Sequence, residues 1–396
     1  MATSKTLTKK KKVTLKHAPD FLLITMIILI VGFGVVMVYS ASHYHGMTNF
    51  GDPFRFAKRQ LLVGISGIGV MFCVTYFFNY RILANIKIAG LLYGISILLA
   101  LSLFVFGKNV NGATRWIEIG PIQFQPSEVV KIGVIIMLSS YILKYRKKLD
   151  KMRYLLIGGL IVLVPTVIIA VENLSSAIVV AFVGLLILFV STPKIWYYIL
   201  GIVVGGAAIM WIYYIAVNNI ELGGFLGEIF KPYRLDRIRI WQDPWIDPVG
   251  GGYQPIQSLY AIGSGGLFGT GLGLGVQKLG FLPEPHNDII FAVICEELGL
   301  VGAALLLLAY AVLVLRGFSV AAHADDFFGA LVATGISGMI AVQVLINVAV
   351  NTNSIPTTGM QLPMVSYGGT ALLILLGSLG ILVNISRTAA IGKPKE

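Results

Sequence analysis

The sequence predicts an all-α, polytopic membrane protein of about ten transmembrane helices, with one long extracytoplasmic loop between helices 7 and 8. Three observations carry that expectation. Of 396 residues, 57% are hydrophobic and only 12% charged, whereas a soluble domain carries about 25% charged residues; the mean hydropathy is +0.85. Apolar runs recur that are long enough to cross the hydrocarbon, which takes roughly 20 helical residues. No alternating pattern of the outer-membrane barrel kind is present, so helices must satisfy the backbone inside the bilayer.

The ten expected spans are 21–41, 60–78, 83–106, 127–143, 154–171, 175–192, 196–217, 288–315, 326–350 and 366–387. The first follows a basic segment, Lys5, Lys9, Lys10, Lys11, Lys12 and Lys16, that resembles the start of a signal peptide. Its apolar run, Phe21 to Tyr39, is too long for a cleaved leader, and Ser40-Ala41-Ser42 is a weak cleavage signal. It reads as an uncleaved span. The fourth and sixth spans are short, and the eighth is long enough to tilt.

Orientation follows from the basic residues. The N-terminal segment holds six Lys and the stretch 144–153 holds six Lys or Arg, with four spans between them. An even number puts both on one side, and the positive-inside rule makes that side the cytoplasm. Lys194, Arg316, Arg387, Lys393 and Lys395 fall there too, which places both termini in the cytoplasm and the protein in the plasma membrane. The loops 42–58, 107–126, 218–287 and 351–365 then lie outside. The organisation is a basic cytoplasmic tail (1–19), a membrane domain (20–390) and a short cytoplasmic tail (391–396). The net charge of +12 is explained by this asymmetry and needs no nucleic-acid partner. Cys73 and Cys295 both sit in apolar runs, so no disulfide framework and no Cys/His metal site is expected. The loop 218–287 far exceeds ordinary connections. Its many glycines and aromatics such as Phe230, Tyr233, Trp241 and Trp245 mark it as ordered and functional. No internal repeat supports an inverted-repeat transporter.

Ionisable groups at membrane depth are costly and point to function. Glu128 and Lys131, three apart at the start of the fourth span behind Pro126, share a helical face. They are either a self-compensating ion pair or the lining of a polar cavity. Asp288 follows Pro283-Glu284-Pro285-His286-Asn287 where the long loop enters the membrane. A carboxylate half-removed from water has a raised pKa, suited to a general base for a sugar hydroxyl; an Asp at a helix start also suits an N-cap, which spacing alone favours. His286 is equally compatible with a solvated loop histidine. On a continuous helix, Glu296 would lie about 80° from Asp288 and Glu297 about opposite, so at least one must face protein or water. The stretch Tyr233–Trp241 alternates basic and apolar residues; Arg237 and its neighbours either grip a pyrophosphate or anchor an amphipathic segment at the interface, and without further information the anchor is favoured. The glycine-rich run 263–275 lacks the spacing of a nucleotide loop, and Ser366 lacks a nucleophile elbow.

Five separated stretches resemble the SEDS family (shape, elongation, division, sporulation), and in the same order. They are Asn111–Ile117 with Gln125–Glu128; Tyr253-Gln254 through Gly266; Val276–Glu284; Asp288 with Glu296–Gly299; and Pro356–Gly359 through Ser366–Gly369. The resemblance implies a peptidoglycan glycosyltransferase acting on lipid II (undecaprenyl-pyrophosphoryl disaccharide-peptide). It also implies a class B penicillin-binding protein transpeptidase and, for the division branch, divisome proteins as partners. It assigns Asp288 to the acidic residue needed for polymerisation, against the cap, and matches Glu128 and Lys131 to the pair lining the family's central cavity. Arg237, Gln254, Lys278, His286, Glu297 and Ser366 complete the expected substrate-binding set. Arg237 and Lys278 are the candidate cations for the leaving pyrophosphate; Mg²⁺ or Mn²⁺ is a further candidate, although no ligand cluster identifies a site. His286-Asn287-Asp288 replaces the family's frequent His-Thr-Asp, and Glu172-Asn173-Leu174-Ser175-Ser176 replaces a common Gln-Pro-Asp-Leu-Gly-Thr. This variant and Pro356-Thr357-Thr358-Gly359 are more similar to the FtsW and SpoVE branches than to RodA. A lipid II flippase and a non-enzymatic scaffold for the transpeptidase are the competing expectations.

Overall fold

Apolar helices run back and forth through the molecule, which is described by a computed structural model over residues 18–110, 113–119, 122–171, 173–192, 196–218, 220, 223 and 232–389. Most of both expected tails, including Lys393 and Lys395, and Lys194 lie outside the described residues. The helices are α1 (Phe21–Phe50), α2 (Arg55–Phe77), α3 (Ile86–Phe106), α4 (Pro126–Tyr145), α5 (Met152–Ala170) and α6 (Leu174–Ser191). They continue with α7 (Trp196–Val217), α8 (Pro232–Gln242), α9 (Tyr253–Gly265), α10 (Ile290–Ala322), α11 (Phe327–Asn351) and α12 (Gly369–Ser386). Among the described residues nine are long and apolar enough to cross a membrane, and α7 carries a shorter apolar stretch at Gly205–Val217.

The differences from the expected boundaries have physical causes. Asp20 caps α1 by accepting the Leu23 N–H, and the helix runs nine residues past the expected end before Gly51, at φ 68°, closes it. Once outside hydrocarbon a helix no longer needs apolar residues, so hydropathy underestimates its length; a glycine in the left-handed region is what stops it. The expected loop 107–126 contains three antiparallel strands, β1 (Lys108–Val110), β2 (Ala113–Ile119) and β3 (Ile122–Phe124), with β2 in the middle. The eighth span starts at Ile290 rather than 288, and it breaks at Gly299 (φ 65°, ψ −169°).

α4 and α11 form the centre: 72% and 78% of their spans are buried, against 22% for α3 and α5, which face outward. Small residues let helices approach, as expected where lipid gives no hydrophobic push between them. A Cβ on Gly380 of α12 would meet the Met71 carbonyl of α2 at 2.7 Å. At the same junction Asn384 donates to the carbonyls of Val74, Thr75 and Phe78, closing the orphaned end of α2. One end of the bundle gathers the basic residues of 144–153 with Arg81, Arg316 and Arg387. Ion pairs Arg81–Asp325, Arg81–Asp326 and Arg316–Asp20 tie its loops together. The chain direction of each helix puts the small sheet, α8, α9 and the segment 351–368 at the opposite end.

Candidate functional site

A polar-lined cleft, open to solvent, lies among the helix ends opposite the basic face. Its walls come from the start of α4 (Gln125, Glu128), the start of α6 (Asn173, Ser175, Ser176), Gln343 of α11, the segment Gly359–Gly368 and the segment Glu284–Asp288. Trp116 of β2 reaches the same cavity. Local chemistry fixes these walls. Pro126 starts α4 where no N–H partner is needed. Asn173 caps α6 by accepting the Ser176 N–H at 3.1 Å, and the Ser175 hydroxyl donates to the Thr358 carbonyl, joining α6 to the 351–368 segment.

Asp288 lines this cavity and also a smaller crevice shared with Gln254, Ser258, Asn351 and Thr357. Asp288 is not the cap of α10: Ile289 occupies the cap position and its own side chain makes no capping bond. The expected angular relation to Glu296 and Glu297 therefore does not apply, since Asp288 lies outside the helix. The tight turn leading to it carries a positive φ at Glu284 (44°), and Asn287 bonds back to Glu284 through backbone and side chain.

His286 is not a solvated loop residue. It is 3% exposed and packed against Phe56 (centroids 4.4 Å apart), Tyr367 and His45. Burial, with the neighbouring His45 second, pushes its pKa down to about 4, so the ring is neutral. Its Nδ1 has no hydrogen-bond partner among the described residues, and its carbonyl accepts the Tyr367 N–H.

Two buried ion pairs stand near the site. Lys131 and Glu128 meet at 2.7 Å, with Glu128 on the cavity wall and Lys131 behind it. Lys278 and Glu297 meet at 2.5 Å, joined by the Ser40 hydroxyl and the Gly273 N–H, and neither lines the cavity. Glu296 accepts the N–H groups of Val276 and Gln277, so both glutamates face protein. The glycine-rich run holds the broken helix rather than a nucleotide. Where Gly299 interrupts α10, Thr270 and Gly271 donate to the carbonyls of Glu296 and Glu297, and Leu300 and Val301 donate to those of Gly266 and Leu267. Irregular backbone at membrane depth is tolerated when protein satisfies it in this way. The contact needs glycine: a Cβ on Gly269, at φ 81°, would meet the Glu297 carbonyl at 2.1 Å.

Among the other predicted residues, Arg237 donates to the Thr357 carbonyl at 3.1 Å, linking α8 to the 351–368 segment. Gln254 stands in the crevice beside Asp288. Ser366 lines the large cavity, while its hydroxyl accepts the Leu362 N–H. Asp288, Glu128 and Ser366 thus share one cavity, Gln254 adjoins it, and Lys278, Glu297 and His286 lie outside its lining. No group of three or more His, Cys, Asp or Glu is gathered among the described residues as metal ligands would be, and no step is assigned here to a divalent cation.

Sequence reasoning missed the amides. Gln343, Asn347 and Asn351 sit at i, i+4 and i+8 of α11, all buried and on one face of an otherwise apolar helix. Polar residues at that spacing inside a span are a readable sign of a bundle-facing polar stripe. Weighing only ionisable groups passed over them.

Comparison with known proteins identifies the family and the fold. The family model FTSW_RODA_SPOVE, described as "Cell cycle protein", matches residues 20–391. Stage V sporulation protein E of Bacillus subtilis is 38% identical over 94% of this chain and 98% of its own length. A protein of the same organism named "Probable peptidoglycan glycosyltransferase FtsW" is 38% identical over 93% of this chain and 90% of its own. Among solved structures, one described as "Structural coordination of polymerization and crosslinking by a peptidoglycan synthase complex" superposes with a TM-score of 0.74 at 29% identity, covering 93% of this chain and 98% of that one. The rod shape determining protein RodA of Thermus thermophilus gives 0.64 at 26% identity, covering 94% and 98%.

Proposed function

The chain belongs to the FtsW/RodA/SpoVE family of cell cycle proteins, and from that premise we propose that it is a peptidoglycan glycosyltransferase polymerising lipid II at the outer face of the cytoplasmic membrane. The observation that carries the reading is the position of Asp288, in the wall of a polar-lined cavity at the end opposite the basic residues. The positive-inside rule makes that end extracytoplasmic and puts both termini inside.

In this reading two lipid-linked glycans lie with their tails in the bilayer and their heads in the cavity. Asp288 takes the proton of the acceptor 4-hydroxyl as its oxygen forms a bond to C1 of the donor sugar. The bond from C1 to the pyrophosphate breaks, and undecaprenyl pyrophosphate leaves with the electron pair. Holding both substrates at one membrane surface lowers the entropic cost of their encounter. The leaving charge needs cationic groups in a water-poor site. Lys131 sits directly behind Glu128 on the cavity wall, whereas Lys278 is engaged by Glu297. Lys131 is therefore the better placed of the two lysines, and Arg237 approaches from the crevice side through Thr357.

The likeness to a synthase complex that couples polymerisation and crosslinking supports a class B penicillin-binding protein transpeptidase as partner. Relatives named FtsW and stage V sporulation protein E, both at 38% identity, support septal or sporulation wall synthesis, with divisome proteins as further partners. A membrane-depth pair such as Glu128–Lys131 would also serve a lipid II flippase. Incubating the purified protein with labelled lipid II, with and without its transpeptidase, and separately assaying transport in sealed vesicles divides the two. Glycan strands without transport support the polymerase; transport without strands contradicts it.

A further inference from the structure

The crossing of α10 and α11 holds an arrangement that the catalytic reading does not require and that explains why Asp288 is not absorbed into its helix. In a continuous α-helix the Asp288 carbonyl would accept the Ala292 N–H, four residues on. Here the side-chain amide of Asn351 stands between those two groups. Its Oδ1 accepts the Ala292 N–H at 3.2 Å and its Nδ2 donates to the Asp288 carbonyl at 3.0 Å. The Ala292 N–H also takes a tighter turn, donating to the Ile289 carbonyl at 3.0 Å. The second Nδ2 hydrogen of Asn351 goes to the Asn347 carbonyl at 2.9 Å.

Asn347, one turn earlier on α11, repeats the pattern. Its Nδ2 donates to the Asp288 carbonyl at 2.8 Å and to the Met360 carbonyl at 2.7 Å. Two amides thus converge on one backbone oxygen, and through Met360 they join it to the 359–368 wall of the cavity. The side-chain orientations have one self-consistent solution: exchanging O and N of Asn351 would set an NH₂ against the Ala292 N–H and an oxygen against two carbonyls. Both residues are essentially buried, at 0% and 2% exposure. Water therefore cannot cheaply replace a lost donor. Asn351 is itself held, because its carbonyl accepts the Ser258 hydroxyl of α9 at 2.8 Å.

We propose that Asn351, assisted by Asn347, is a positioning residue that inserts its amide into the start of α10, ends the helix before Asp288 and holds that residue in the cavity wall. The role of Asp288 in this proposal rests on the polymerase reading, but the placement of its side chain can be measured independently. Replacing Asn351 with an apolar residue lets the Asp288 carbonyl and the Ala292 N–H bond each other, so the helix grows and residue 288 rotates with it.

The test uses the full-length protein in two arms. In the first, Asn351→Leu is assayed for polymerisation of labelled lipid II. The expected result is a kcat lowered about ten- to hundred-fold, equivalent to about 1.4–2.7 kcal/mol, with KM within about two-fold, since anchoring rather than substrate contact is lost. In the second, the thiol of an Asp288→Cys variant is labelled with a charged, membrane-impermeant maleimide, with Asn351 intact or as Asn351→Leu. Labelling is expected to slow by about ten-fold or more in the latter. Thr352→Ala, which removes a hydroxyl bonded only within its own turn and with that of Ser354, should leave both readings unchanged. If Asn351→Leu does not fold, Asn347→Leu removes one of the two donors and should give about a third to a tenth of the wild-type kcat, again with slowed labelling. Unchanged labelling overturns the positioning role even if activity falls. Slowed labelling combined with normal polymerisation by Asp288→Asn would instead overturn the catalytic reading and leave the positioning intact.

Discussion

Among the described residues two Lys–Glu pairs are buried, and they stand in opposite circumstances. Lys278 and Glu297 are sealed, with side-chain exposures of 5% and 0%, and the carboxylate also receives the Ser40 hydroxyl and the Gly273 N–H. Both Glu297 oxygens are matched, and the pair holds the break in α10 and the glycine-rich segment beneath it. Lys131 is equally buried, at 1%, but Glu128 is 16% exposed and borders the cavity. A fully matched pair has no reason to change partners. A pair open on one side can re-pair when a charged substrate arrives. The difference teaches that the proposed site adjoins the pair whose burial is incomplete, not the one buried deepest.

The largest effect should come from breaking the sealed pair. Lys278→Met leaves Glu297 charged in the interior, and the expected loss is about 3–5 kcal/mol of stability, read as a lowered unfolding midpoint in detergent. Adding Glu297→Leu should restore most of it, because removing both charges is often neutral. A single variant that melts like wild type would show that the pair does not brace the fold.

Acid should have the next effect, through a buried group that has no counter-ion among the described residues. His286 has its pKa pushed down to about 4 by burial, from an ordinary 6.5. The neutral ring contributes full stability above about pH 6.5. As pH falls the unfolded chain takes the proton first, and the contribution is lost by about pH 4, a total of about 3 kcal/mol at 1.36 kcal/mol per unit. Unfolding midpoints measured between pH 7 and 4 should fall less steeply in His286→Phe.

Neutralising the open pair should separate activity from stability. Glu128→Gln combined with Lys131→Gln is expected to fold yet polymerise about a hundred-fold more slowly, equivalent to about 2.7 kcal/mol of barrier. The sealed-pair double variant should keep its specific activity. Equal behaviour of the two double variants would erase the distinction between the pairs. The smallest expected change is Ser366→Ala, which deprives the Leu362 N–H of its acceptor and should cost about 1 kcal/mol of stability.

Much of the fold was legible because hydropathy reports the solvent a segment meets. Most spans were therefore placed to within about five residues, but the signal ended at 41 although α1 continues to Phe50, and at 315 although α10 continues to Ala322. The strands at 108–124 are short and pair only with each other, so nothing in a window of sequence marked them. The break at Gly299 was hidden because a glycine in an apolar run is compatible with a helix, and only its contact with Gly269 reveals the unwinding. At the site, Glu128 and Lys131 were legible as charges in a span. Asp288 was not separable from a helix cap by spacing, and only the resemblance to a family selected it. The Asn347 and Asn351 amides that bond the Asp288 carbonyl lie about sixty residues away in sequence, beyond any local pattern.

The most direct measurement is single-turnover transfer on labelled lipid II by the purified Asp288→Asn protein, with folding checked by its unfolding midpoint. A carboxylate that receives the acceptor proton predicts a correctly folded variant that forms no glycan linkage while still binding substrate. Strand formation at the wild-type rate by that folded variant would contradict the account.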